Sequence, residues 1–182
     1  MSGQLELQDI SSGQSWTLTS GMLYVVGPKD RHRVSIEGDL HAISIFSPAI
    51  TGTVSHDADG SLEPTGEIPP AWRGEDGRTM FVMSEDDAHK LMISGGRTPA
   101  SRYLLLKDAC GVTVSTSRGK VGQESILWYK NHVEANYILQ GEITLEDLST
   151  EETWELTPGA IYVVGPRARH RVRVKTDAYL LS

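Results

Sequence analysis

One long stretch of this chain occurs twice, once near each end. "GQLELQDISSGQSWTLTSGMLYVVGPKDRHRVSIEGD" begins at Gly3, and "GEITLEDLSTEETWELTPGAIYVVGPRARHRVRVKTD" begins at Gly141. The two copies align without a gap, and nearly half of the aligned positions are identical. Two copies at this wide spacing are too few for a solenoid, so the repeat indicates duplication of a half-domain.

Each copy has the pattern of β structure. "LELQD" and "ITLED" alternate apolar and polar side chains, which is typical of half-buried strands. The middle of the chain adds further strand-like runs, such as "GVTVSTS" and "EANYILQG". Many short strands with glycine turns favour a sandwich or a small barrel. One segment, "SEDDAHKLM" at 84–92, is predicted to be helical because a Ser N-cap precedes acidic residues.

Composition excludes several classes of protein. The formal net charge is −7, which leaves no basic surface for phosphates, so we expect no nucleic-acid partner. The single cysteine, Cys110, excludes a disulfide framework and a thiolate zinc cluster. No stretch reaches the roughly 20 apolar residues that cross a bilayer, and the first residues lack the pattern of a signal peptide. We therefore expect a cytoplasmic protein with no membrane partner.

A stretch rich in Pro, Gly and Asp divides the chain. Residues 47–78 have the composition of a loop or linker, and long loops in compact domains often serve as lids or binding loops. We predict two segments. Residues 1–78 form a half-barrel repeat, and residues 79–182 form the core.

The second segment has the layout of the two motifs of a cupin barrel. Glu134 precedes a strand that ends in glycine, and a Pro-Gly turn, an apolar strand and a Gly-Pro turn then lead to His170. Typical cupins carry two histidines before the glutamate, where this chain has Trp128 and Lys130. Tyr162 shares a face with His170 if the hairpin is regular. Two oxygens and one nitrogen suit Fe(II), Mn(II) or zinc with open coordination positions.

At this level of detail the chain resembles the ectoine synthase family of cupin enzymes. The resemblance is carried by "RYLLLKDACGVTVS", "WYKNHVEANYILQGE" and "TPGAIYVVGPRARHRV". The family's closing segment corresponds to residues 45–72, with its pattern at 46–60 as "FSPAITGTVSHDADG", so the resemblance implies a permuted order. The resemblance implies an all-β cupin, a jelly-roll-like double-stranded β-helix, with an additional half-barrel repeat and few short helices.

The resemblance also implies a site and a reaction. The family's iron ligands correspond to Glu134, Tyr162 and His170. Its substrate-binding positions correspond to Phe46, Ser117 and Tyr129, and the implied catalytic residues are His56 and Tyr162. The family's tryptophan and arginine near the start of the barrel find no clear match between Pro99 and Tyr103. The implied reaction is that of a hydro-lyase, a carbon–oxygen lyase that closes N-γ-acetyl-diaminobutyrate to ectoine, a compatible solute, with loss of water.

Two questions stay open at this point. The chain could be the cyclase with Fe(II), or with Mn(II) or Zn(II) in its place. It could instead be a metal cupin lyase or dioxygenase acting on another small acid, or a binding cupin without catalysis. Glu134 could join Tyr162 and His170, or the earlier copies of these residues, Tyr24 and His32. An unpaired half-barrel would leave open strand edges, so we expect a homodimer, in a strand-swapped form if the edges exchange.

Overall fold

The computed structural model describes residues 3–63, 65–67 and 80–182. It divides into two compact units. The first comprises the residues up to Ala88 together with Tyr103–Thr113, and the second comprises His89–Arg102 and Val114–Ser182. The predicted boundary between residues 78 and 79 and part of the predicted closing segment, at 64 and 68–72, lie outside the described residues.

The second unit is built from strands in two sheets. Its strands are β6 (His89–Ile93), β7 (Thr98–Leu104), β8 (Val114–Gly119), β9 (Glu124–Leu127), β10 (Glu134–Gln140), β11 (Ile143–Asp147), β12 (Thr153–Leu156), β13 (Ile161–Val164), β14 (His170–Val174) and β15 (Ala178–Leu181). One sheet has the order β13-β10-β15-β8-β7-β6, and the other has the order β12-β11-β14-β9. The eight strands from β8 onward therefore divide into two four-stranded layers as in a jelly roll, and β11 and β12 form a hairpin within one layer. This arrangement confirms the predicted all-β, cupin-type barrel.

Alternation along the strands separates a barrel interior from its surface. On β10, Asn136 and Ile138 are buried while Ala135 between Glu134 and Asn136 is exposed. On β13, Tyr162 is buried between two exposed residues. The apolar members of the inward face form the core of this unit, which comprises Ile138, Ile143, Leu145, Tyr162, Val164, Val174, Ala178 and Leu180. Residues that alternate in the sequence thus lie on opposite faces of each sheet, one toward the barrel interior and one toward the surface.

The first unit repeats part of this arrangement. Its strands are β1 (Gln4–Asp9), β2 (Ser15–Leu18), β3 (Leu23–Val25), β4 (His32–Glu37) and β5 (Phe81–Met83). β1 pairs with β2 so that Leu7 faces Trp16, as Leu145 faces Trp154 between β11 and β12. The sequence repeat is therefore a repeat of strand pairing, with its own small core of Leu5, Leu7, Leu18 and Met80.

The first unit differs from the second in how its strands are flanked. β14 lies between β11 and β9, whereas β4 pairs only with β1 in the sheet β2-β1-β4. Within the described chain the first unit has no counterpart of β9, and all six residues of β4 are exposed. β3 pairs with β5, where its counterpart β13 pairs with β10. The first unit is thus a half-barrel in which β4, unlike its counterpart β14, is an edge strand among the described residues.

The helix predicted at 84–92 is wrong. Ser84 caps a single turn, since its backbone N–H and its hydroxyl both donate to the carboxylate of Asp87, each at 2.7 Å. The chain then enters β6 at His89, which pairs with β7. Strand pairing outweighed the local helix signal, as tertiary context commonly does. The described residues contain one 3₁₀ helix, Leu106–Asp108, and none of their helices has the length and apolar character needed to span a membrane.

Candidate active site

A cavity of about 280 Å³ lies inside the barrel of the second unit. Its wall includes serine side chains from several strands, among them Ser115, Ser117 and Ser125. Of the described residues that line it, Arg102 and Glu134 are the two that carry a formal charge. A concave cavity with a few convergent polar groups is the usual form of a small-molecule site.

Glu134 and Tyr162 reach this cavity from neighbouring strands. In the antiparallel pairing of β10 and β13, Asn136 faces Tyr162 and Glu134 faces Val164. Residues two apart on a strand share a face, so Glu134, Asn136 and Tyr162 lie together on the inner side of the sheet. All three line the cavity.

Tyr129 is hydrogen-bonded to one of these three residues. Its hydroxyl donates a hydrogen bond to Oε2 of Glu134 at 2.8 Å. Burial raises the pKa of Tyr129 above its ordinary value, and the negative charge of Glu134 raises it further. The pKa of Tyr162 is also raised, again chiefly by burial and then by the charge of Glu134. The nearby charge of Arg102 lowers the pKa of Tyr129, but burial and Glu134 outweigh it, and both phenols therefore hold their protons.

His170 begins β14 in the opposite sheet and is 2% exposed. Its ring lies 6.3 Å from the ring of Tyr129, centroid to centroid. Nδ1 lies 3.3 Å from the carbonyl oxygen of Ala168, while Nε2 is buried and has no hydrogen-bond partner among the described residues. If Nδ1 carries the proton and donates to that carbonyl, Nε2 is the unprotonated nitrogen that a metal ion requires.

These residues fit a divalent metal ion. The described part of the chain holds no cluster of three His, Cys, Asp or Glu side chains that could bind one, so a site here depends on a phenol as the third ligand. The orphaned Nε2 of His170 supports such a site, because a buried nitrogen without a partner costs free energy unless a ligand satisfies it. The carboxylate of Glu134 and the phenol of Tyr162 would complete a nitrogen–oxygen–oxygen set.

The other predicted residues fall in different places. Ser117 lines the cavity from β8, and its role in binding the substrate remains a prediction. Phe46 and His56 belong to the first unit, and both side chains are exposed, Phe46 by 44%. Their role in closing a site over the substrate remains a prediction.

Arg102 was missed by the sequence reasoning, which found no match between Pro99 and Tyr103. In the structure Thr98, Ala100 and Arg102 all line the cavity from β7. The signal was the period of two along this strand, which places these three residues on one face. An alternating pattern in the sequence does not show which face of a strand looks into a cavity, so the sequence alone did not identify Arg102.

The first unit carries Tyr24 and His32 but no matching acid. β3 pairs with β5 so that Val25 faces Phe81, and the next step of this register places Met80 where Glu134 stands in the second unit. Met80 is buried in the apolar core of the first unit. A thioether in that position provides no carboxylate, and Glu134 lies beside Tyr162 rather than Tyr24.

Comparison with known proteins gives one consistent result. The sequence model of the ectoine synthase family matches residues 1–65 and 80–182. L-ectoine synthase of Oceanobacillus iheyensis is 41% identical over 76 residues, which are 42% of this chain and 59% of that protein. L-ectoine synthase of Saccharopolyspora erythraea is 35% identical over 100 residues, which are 55% of this chain and 72% of that protein. The chain thus spans between about half and three quarters of the length of these relatives.

Among solved structures, an ectoine synthase from P. lautus is similar to this chain. The TM-score is 0.47 and the sequence identity is 32%. The similarity covers 50% of this chain and 64% of that one.

Proposed function

The chain belongs to the ectoine synthase family, and we propose that it closes N-γ-acetyl-diaminobutyrate, or a related acylated diamino acid, to a cyclic amidine. In this reaction the α-amine nitrogen attacks the acetyl carbon and a carbon–nitrogen double bond forms. The amine gives up two protons, and the carbonyl oxygen leaves with them as water. The lyase class of the family's reaction follows from this loss of water.

Arg102 is the residue that we assign to the substrate carboxylate. It is the one cation among the described residues that line the cavity. A guanidinium can bind a carboxylate through two parallel hydrogen bonds, which fixes orientation as well as position. An amino acid anchored in this way has its side chain directed into the remaining space of the cavity.

The barrel favours ring closure by confinement. Confinement in a cavity of about 280 Å³ favours a folded conformation of a small acylated amino acid, in which amine and acetyl carbon stay close together. Such preorganisation gives an intramolecular reaction a large advantage. Burial also disfavours the charged ammonium form, and the free amine is the form that attacks. Ser117 is a candidate to orient the acyl group through its hydroxyl.

Glu134, Tyr162 and His170 would hold the metal ion. Iron(II) is the first candidate, and manganese(II) or zinc also suits this mixed set of oxygen and nitrogen donors. When bound, a divalent ion supplies Lewis-acid polarisation of a carbonyl oxygen. Tyr129 would keep the carboxylate of Glu134 in place through its hydrogen bond, as partners of metal ligands commonly do.

Phe46 and His56 are assigned to closing the site and to moving a proton, as the family pattern suggests. If this holds, Phe46→Ala lowers the turnover rate about tenfold or more because water then enters the site, while bound metal stays unchanged. Ile50→Ala, a second exposed apolar residue of the same segment, is the matched control and leaves the rate unchanged. Equal rates for both variants would remove Phe46 from the site.

We further propose that the protein acts in the cytoplasm and as a homodimer. Cys110 is buried and unpaired, and burial, with the charge of Asp108, raises the pKa of its thiol to about 11. A lone, unreactive thiol suits a reducing compartment. The open edge of β4 supports the homodimer, since unpaired edges in native proteins are usually covered.

The observation that carries the proposed function is the orphaned, buried Nε2 of His170. The His170 ring lies 6.3 Å from the ring of Tyr129, which lines the cavity together with Glu134 and Arg102. The test is to incubate iron-loaded protein with N-γ-acetyl-diaminobutyrate and to follow ectoine by chromatography. We expect ectoine with the parent protein and none with Glu134→Gln. If iron-replete parent protein forms no cyclic product from several acylated diamino acids, the cyclase assignment is wrong, and another cupin lyase or a binding function becomes the better interpretation.

A further inference from the structure

Within the described part of the chain, the outer edge of β4 is a row of backbone groups that no other strand pairs with. Arg31 accepts a hydrogen bond from the N–H of Ile10 through its carbonyl oxygen, so the backbone of Arg31 faces β1. Backbone groups of successive residues in a strand point to alternate sides. The N–H and C=O groups of His32, Val34 and Ile36 therefore point away from β1, toward the open edge.

The second unit shows what such an edge binds. There the backbone of Val174 is hydrogen-bonded to the two residues just before β9: its N–H donates to the carbonyl oxygen of Gln123, and its carbonyl oxygen accepts from the N–H of Gly122. The rest of β14 pairs with β9 itself. Val174 occupies the place in β14 that Ile36 occupies in β4. The edge of β4 is thus shaped to receive an antiparallel strand, which the first unit does not supply from the described chain.

The side chains on this strand are complementary to a second copy of themselves. In an antiparallel pair of two β4 strands centred on Ser35, Val34 of one copy faces Ile36 of the other. Arg33 then faces Glu37, and Arg31 faces Asp39. Registers centred on Val34 or on Ile36 match only one arginine with an acid. In the described chain no ion pair occupies these four charged residues.

The apolar face of the first unit also continues across such a pair. Val34 and Ile36 face Leu7 and Leu5 of β1, so they lie on the core side of the sheet, yet they are 38% and 53% exposed. Pairing with a second copy would place two Val–Ile contacts beside the two cores. It would also pair the backbone groups that an open edge leaves unsatisfied.

We infer that two copies of this chain associate through β4, antiparallel and centred on Ser35, to form one continuous six-stranded sheet from the two half-barrels. This inference rests on the proposed homodimer and is independent of the proposed reaction. The arrangement is isologous, as in most homodimers. Each copy contributes the same strand, and no other protein is needed to cover the edge.

A cysteine at position 35 tests the register directly. Opposed residues in a non-hydrogen-bonded antiparallel pair have Cα atoms about 4.5 Å apart, within the range that a disulfide spans. Ser35→Cys should form a disulfide-linked dimer when oxidised glutathione takes up the electrons of the two thiols, seen by electrophoresis without reductant. Ser15→Cys, on the opposite edge strand of the same sheet, is the matched control and should stay unlinked. The buried thiol of Cys110 should leave the parent protein unlinked as well.

Light scattering of the untreated parent protein separates the possible failures. A dimer together with the Ser35→Cys link supports the inference. A dimer without the link would keep the homodimer but overturn the register, and a link in Ser15→Cys instead would assign the contact to β2. A monomer of about 20 kDa at micromolar concentration, consistent with the chain mass of 19.9 kDa, would overturn both.

Charge reversal gives a second, independent measure. Arg33→Glu or Glu37→Arg should raise the dimer dissociation constant about tenfold or more, because two cross-strand attractions become repulsions. The double variant R33E/E37R restores the opposite charges and should return the dissociation constant close to that of the parent protein. Recovery in the double variant is a result that a merely destabilised strand would not give.

Discussion

The phenol of Tyr129 is hydrogen-bonded to the carboxylate of Glu134, with 2.8 Å between the two oxygens. This contact connects two residues that the sequence separated into different roles, one for substrate and one for metal. Because Tyr129 bonds to Oε2, the other carboxylate oxygen of Glu134, Oε1, takes no part in this hydrogen bond. Tyr129 therefore positions a predicted metal ligand.

Tyr129→Phe removes this hydrogen bond while the ring stays in place. We expect metal affinity to fall by about 10- to 100-fold, as is usual when the partner of a ligand is lost. Isothermal titration with the metal measures this directly. Tyr179→Phe is the control, since the ring of Tyr179 contacts Arg118 and lies outside the cavity lining. Unchanged affinity in Tyr129→Phe would show that Glu134 needs no positioning.

The two repeats supply a matched pair of histidines. His170→Ala should abolish tight metal binding, because it removes the buried nitrogen that has no other partner. His32→Ala should leave binding unchanged, since His32 is exposed and the first unit has Met80 where Glu134 would be needed. Elemental analysis should give one metal ion per chain in the parent protein and in His32→Ala. Two ions per chain, or equal loss in both variants, would contradict this assignment.

Arg102→Ala should weaken substrate binding. A charge-assisted pair with a carboxylate contributes enough that its loss raises KM by about 10- to 100-fold, while the bound metal remains. Arg118→Ala is the control because Arg118 lies over the ring of Tyr179 and does not line the cavity. A fall in kcat with KM unchanged would place Arg102 in the chemical step instead of in binding.

The turn at Gly141 should be intolerant of a side chain. Gly141 has φ of 83°, and a Cβ there would overlap the backbone carbonyl of Asp177. Gly122 has a similar φ of 80° but open space around it. We expect Gly141→Ala to lower the free energy of unfolding by about 3 kcal/mol or more, since overlap adds to backbone strain. Gly122→Ala should cost about 1 kcal/mol from strain alone, and equal losses in urea unfolding would contradict the close contact.

Much of the architecture could be predicted because it depends on patterns among residues that are close together in the sequence. The alternation in "LELQD" and "ITLED" predicted strands, and the same alternation sets the matching registers of Leu7 with Trp16 and of Leu145 with Trp154. A repeat in the sequence became a repeat in strand pairing because the same period of two buries the same faces. The helix at 84–92 failed for the opposite reason, since its local signal competed with pairing to β7.

The sequence by itself determined which residues could carry the chemistry and on which strands they lie. Only the tertiary structure decided which of them meet. Strand β10 could have joined either copy of the repeat, and its pairing with β13 places Glu134 beside Tyr162. The fold also brought Arg102 to the cavity wall and left β4 as an edge strand among the described residues. Such choices depend on contacts between residues far apart in the chain, and those contacts form only when whole sheets close around a core.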